Sequence, residues 1–178
     1  MKLNEDLLHK MTPKEWYEFL RDKYFEWKLE PRWRVSAKRR LDEEYEKKNR
    51  LDELYEIKNK LLECDKNDIE QCLGILSKIK GMKSSVASGL LALLYPKIYG
   101  TVDRFAIESL QKTTEYPDLE FVNPKNIHIK LAVHLIHIFQ TKANELNRLF
   151  KTDFWTPRKI DMVLWSYREK TEKSNKNV

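Results

Sequence analysis

Apolar residues in this chain recur at steps of three and four almost from end to end, while strand-like alternation is nearly missing and glycine occurs only four times. That period puts apolar side chains on one stripe of a helix, whereas strands would need a period of two. The fold class is therefore all-α, a helical bundle. With 178 residues and 41% hydrophobic content the chain can build one substantial core. The expectation is a single domain over residues 1–170, followed by a frayed polar tail over 171–178.

Punctuation divides the pattern. Thr12-Pro13 offers a cap and a proline at the first helical position, and Trp16, Phe19, Leu20, Tyr24 and Trp27 then line one face up to about Leu29, where Pro31 intervenes. A segment dense in Lys, Glu and Arg, from about Val35 to Glu63, is one long helix or two in line. Asp65-Lys66-Asn67 is a turn. A helix from Asp68 to about Ser77 should bury Ile69, Cys72, Leu73 and Leu76, and a second runs from Ser84 to Leu94. A helix from Asp103 to about Gln111, one from Pro124 to Phe150 and one from Thr156-Pro157 complete the set.

Net charge is +6, with Lys and Arg spread along the sequence. Such a surface suits a polyanion, although solvated Lys-rich helix faces produce the same balance. The cysteines, Cys64 and Cys72, are eight apart and expected as free thiols of a reducing cytoplasm. No apolar run approaches the ~20 residues of a membrane span, and the first residues are unlike a signal peptide, so a soluble cytoplasmic protein is expected. Two cysteines cannot hold an iron-sulfur cluster. His128, His134 and His137 point in different helical directions without neighbouring acids, so no metal site and no cofactor are expected. Phosphate-binding glycine loops, a nucleophile elbow, HExxH and EF-hand patterns are missing from the sequence.

The stretch with chemical content is Ile79-Lys80-Gly81-Met82-Lys83-Ser84-Ser85-Val86-Ala87, followed after an apolar run by Thr101-Val102-Asp103-Arg104-Phe105. A short Gly-bearing turn entering a helix aims backbone N–H groups at a phosphate, which the helix dipole also favours. Lys80, Gly81, Met82, Lys83, Ser84 and Ser85 are the candidate DNA-binding residues. Small Ala87, Ser88 and Gly89 would let the two hairpin helices approach closely. Arg32, Arg34, Lys38, Arg39 and Arg40, with Trp33 among them, form a second candidate for phosphate contact. Gly81 alone also reads as a simple helix-ending glycine, and Asp103 as a simple cap.

Together these residues resemble the helix-hairpin-helix DNA glycosylases, whose hairpin reads approximately Leu-Pro-Gly-Val-Gly-x-Lys-x-Ala and whose essential aspartate sits in Val-Asp-Thr-His-Val or a close variant. Gly81 and Ala87 match that hairpin, and Lys83 replaces its second glycine. The resemblance covers roughly residues 65 to 111, and less specifically the final helix. It implies duplex DNA as partner and Asp103 as catalytic residue. Ser85 stands where bifunctional members carry the lysine nucleophile, and a serine forms no Schiff base, so the implied activity is monofunctional. Asp103 would then stabilise positive charge on the sugar and position water. A flipped base also needs aromatic or apolar walls, for which Trp16, Tyr17, Tyr24, Trp27, Trp33, Tyr95 and Tyr99 are candidates. The alternatives are a non-catalytic relative that binds DNA or another ligand, and a helical protein-interaction module.

Overall fold

In the computed structural model, which describes residues 3–174, every regular element is helical. Where one unit was expected over 1–170, the chain divides into two compact units, Met1–Leu94 and Tyr95–Val178.

The first unit opens with a short helix that the apolar pattern did not announce, α1 (Glu5–Lys10), capped by Asn4. Thr12 then forms a capping box with Glu15, and Pro13 takes the first position of α2 (Pro13–Glu18). A π-helical segment, Phe19–Tyr24, leads directly into α3 (Phe25–Lys28). Its wider turns rotate the inward stripe. Trp16, Phe19, Leu20 and Tyr24 are buried as expected, but Phe25 is also buried while Trp27 is 41% exposed.

Pro31 both ends that run and starts α4 (Pro31–Leu41). A second π-helical segment, Asp42–Glu46, follows, and Asn49 at φ 54° breaks the chain before α5 (Leu51–Glu63). The charged stretch is thus two helices. The buried Tyr17 on α2 shares its hydroxyl proton between Asp42 at 2.8 Å and Glu46 at 2.9 Å, and Arg21 of the first π segment donates from Nε to Asp42 of the second at 2.9 Å. Burial first, then these bonds to two carboxylates, push the Tyr17 hydroxyl far above the ordinary tyrosine range. Lys58 on α5 is fully buried and donates to the carbonyls of Leu8 and Met11, which pins the C-terminal end of α1.

Asp68 caps α6 (Ile69–Ser77), whose Ile69, Cys72, Leu73 and Leu76 all face inward as the spacing requires. A turn then enters α7 (Ser84–Leu94), almost wholly buried.

The second unit carries α8 (Arg104–Leu110), capped by Asp103. The loop beyond includes a 3-10 turn, Pro117–Leu119. The next helix, expected from Pro124, starts later as α9 (Ile129–Phe150). Asn123 accepts from the Lys125 N–H and holds a turn there, and the His128 imidazole caps the helix through the Leu131 N–H. Lys151, at φ 50°, ends α9. The last helix, α10 (Pro157–Ser174), packs against α8 and α9. The expected tail is therefore helical through Ser174, and residues 175–178 lie outside the described residues.

Candidate functional site

The turn between α6 and α7 closes through three backbone bonds: Lys78 N–H to Ile75, Ile79 N–H to Leu76 and Met82 N–H to Ile79. Gly81 sits at φ +91°, a conformation that L side chains rarely adopt. A Cβ there would stand 2.7 Å from the Ala37 carbonyl oxygen, so Gly81 also lets the turn press onto α4. Tyr45 holds the same turn by long bonds at 3.4 Å, donating to Lys78 O and accepting from Lys80 N–H. Burial is the main reason why the Tyr45 hydroxyl is raised above its usual range.

Entry into α7 is set by the Lys83 carbonyl, which accepts from the N–H groups of Val86 and Ala87 at 2.8 Å. Ser84 and Ser85 are the first two helical residues, so no helical carbonyl stands four residues before their N–H groups. The side chains of Lys80 and Lys83 are exposed. Of the six hairpin candidates, Met82 (2% exposed) and Ser84 (5%) turn their side chains into the core. Met82 also spends its N–H on the turn. What the hairpin offers an anion is thus the two lysines, the half-buried Ser85 and the α7 N-terminus.

The hairpin helices α6 and α7 pack against each other, and Gly89 on α7 also makes room for a further neighbour. A Cβ on Gly89 would meet the Tyr24 hydroxyl at 2.9 Å and the Lys28 side chain at 3.1 Å, and Tyr24 donates its hydroxyl to the Val86 carbonyl. At Gly89 the close approach is therefore to the helical run from Pro13 to Lys28.

The basic segment on α4 is partly committed. Arg34 pairs with Glu26 at 2.5 Å and donates to the Glu26 and Leu29 carbonyls, closing the end of α3, and Lys38 pairs with Glu26 at 2.6 Å. Arg39 and Arg40 are exposed. Trp33 is 57% exposed, with the Arg32 guanidinium over its ring. The hairpin is not purely basic in its surroundings. Lys48, bonded to Glu44, with Arg50 and Lys80 nearby, holds the Glu44 carboxyl below the usual carboxylate range.

In the second unit Asp103 is half-buried, and its Oδ1 accepts from the Ala106 N–H at 3.0 Å. It is a cap in geometry, whatever else it does. The acid that sequence reasoning passed over is Asp161. It is 5% exposed; one oxygen accepts from the Thr101 N–H at 2.5 Å and the other pairs with Arg158 at 2.6 Å. Arg158 also donates to Thr101 Oγ1, so a buried ion pair on α10 holds the segment that leads to Asp103. Only the three-residue spacing of Arg158 and Asp161 could have pointed to it.

Of the proposed base-stacking aromatics, Trp16, Tyr17, Tyr24 and Tyr99 are core, Tyr95 is half-buried, and Trp27 and Trp33 reach solvent. The histidines have separate duties. His128 caps α9, His134 pairs with Asp118 at 2.5 Å, and His137 bonds Gln140. Among the described residues no three His, Cys, Asp or Glu side chains converge as metal ligands, and no helix is long and apolar enough to cross a membrane. No known protein family, curated protein or solved structure matches this chain.

Proposed function

We propose that this protein binds duplex DNA through the Gly81 hairpin in the manner of helix-hairpin-helix DNA glycosylases, with Asp103 as the residue for base release. The observation that carries the reading is the turn itself. A glycine at φ +91° brings two exposed lysines to the N-terminus of an eleven-residue helix. Such an arrangement contacts phosphate without reading bases. Ser85 in the lysine position favours a monofunctional glycosylase over a lyase.

The test is binding to a labelled duplex over a range of salt. Affinity should fall steeply with salt, and Lys80→Ala with Lys83→Ala should reduce the logarithmic slope by about 2, one per lost phosphate contact. Salt-insensitive binding, or none, refutes the reading. For the chemistry, duplexes with different damaged bases are treated with alkali to reveal abasic sites. Asp103→Asn should keep DNA binding and abolish base release, and equal release by both proteins excludes Asp103.

A DNA-binding relative without chemistry is the second reading. The cap bond from Ala106 N–H to Asp103 is compatible with both readings, and base release from damaged duplexes separates them.

A further inference from the structure

Cys64 and Cys72, eight apart in sequence, meet with their sulfurs 3.0 Å apart. Cys64 is the C-cap of α5 and is partly exposed, while Cys72 lies in the second turn of α6 and is fully buried. Their thiols are also held in place. Cys64 Sγ bonds the Leu61 carbonyl at 3.2 Å, and Cys72 Sγ bonds the Asp65 carbonyl at 3.3 Å. The turn between them is ordered by its own contacts. Asp65 accepts from the Asn67 N–H, and the Lys66 ammonium donates to the carbonyls of Leu62 and Cys64.

We propose that Cys64 and Cys72 form a reversible dithiol–disulfide pair, a modification site joining the end of α5 to the first helix of the hairpin. This pair is independent of any DNA binding by the hairpin. Neither side chain must cross the core to reach the other, so oxidation needs only a small shift at the α5–α6 turn.

Accessibility sets the order of events. The oxidant is a small-molecule disulfide of the glutathione class. The Cys64 thiolate attacks one of its sulfurs, forming a mixed disulfide and expelling one thiolate. Cys72, as thiolate, then attacks Cys64 Sγ, breaking the mixed bond and expelling the second thiolate. The two protons lost by the cysteines end on the two small-molecule thiols. The protein dithiol is oxidised by two electrons and the small disulfide is reduced by two. The buried Cys72 is thus the resolving thiol.

The experiment incubates the full-length chain with glutathione disulfide and follows denatured thiol content, intact mass and peptide maps. The expected product has no free thiol, a mass lower by about 2 Da and a Cys64–Cys72 cross-link, all reversed by dithiothreitol. Its thermal midpoint should rise by several degrees, because the cross-link restricts the unfolded chain. In Cys72→Ser the reaction should halt at a glutathione adduct on Cys64. A stable adduct on Cys64 of the unsubstituted protein with Cys72 still free would overturn the proposal. So would two unmodified thiols under conditions that fully oxidise a simple dithiol, and both readouts use the native chain, whatever the stability of the variant.

Discussion

Gly81→Ala separates the packing role of the hairpin glycine from any role in anion contact. Two costs follow from the structure. Holding an L residue at φ +91° costs about 1–2 kcal/mol. The new Cβ, 2.7 Å from the Ala37 carbonyl oxygen and 3.2 Å from its Cα, meets backbone and not a flexible side chain, so the turn must lift from α4 at about 1–3 kcal/mol. Alanine also restricts the unfolded chain, which returns about 0.4–1 kcal/mol. The net loss should be about 1–5 kcal/mol, a large share of the roughly 5–15 kcal/mol typical of a domain. Equilibrium urea unfolding, followed by far-UV circular dichroism and by tryptophan fluorescence, measures it. The midpoint should fall with little change in slope. Gly74 on α6 supplies the control, since nothing lies within 4 Å of its would-be Cβ. Gly74→Ala should be neutral or stabilising by up to about 1 kcal/mol. Equal stability of the Gly81 and Gly74 variants would refute the reasoning.

Lys58→Met keeps the apolar stem but leaves the Leu8 and Met11 carbonyls without their ammonium, at a cost of about 2–4 kcal/mol. Limited proteolysis should then cut near Lys10 first, and unchanged stability and digestion would show that α1 is held by other means. Tyr17 predicts an alkaline limit. Its hydroxyl is raised in the folded state, so its contribution is complete below the unfolded value of about 10 and is lost as pH rises beyond it. Tyr17→Phe should flatten the decline of stability above about pH 10, and an equally steep decline in the variant would assign it to other groups.

Helix content and the positions of α6, α7, α8 and α10 were legible in the sequence because caps and periodicity agreed there. Asp68 and Asp103 each precede an apolar-periodic run, and both prove to be caps. The failures have physical causes of the same scale. Two π-helical segments add a residue to a turn without any glycine or proline to announce them, so the inward face changes from Trp27 to Phe25. Asn123 and His128 bond to the backbone locally, which delays α9 beyond Pro124. Small residues show that a close approach is needed, but not to what: Gly89 faces Tyr24 and Lys28, from helices earlier in the chain.

The candidate site divides along the same line. A positive φ and exposed lysines depend on few neighbours, and the Gly-bearing turn was readable from residues 79–85. Roles that depend on long-range burial were not. Met82 and Ser84 share the motif with Lys83, yet burial takes both side chains from the surface, while Lys80 and Lys83 stay exposed. The acids divide in the same way. Asp103 stands out because it precedes a helix, which any capping carboxylate does, whereas Asp161 lies within a helix beside Ile160 and Met162 with no cap or motif to mark it, although it is the one buried against Arg158 and the Thr101 N–H. An unpaired buried carboxylate is costly, and Asp161 has an ion pair and a backbone donor to offset that cost. Its oxygens are therefore occupied with holding the Thr101 segment in place. Asp103 uses one oxygen on a cap at a half-buried position, so its replacement costs a helix cap and not a buried ion pair.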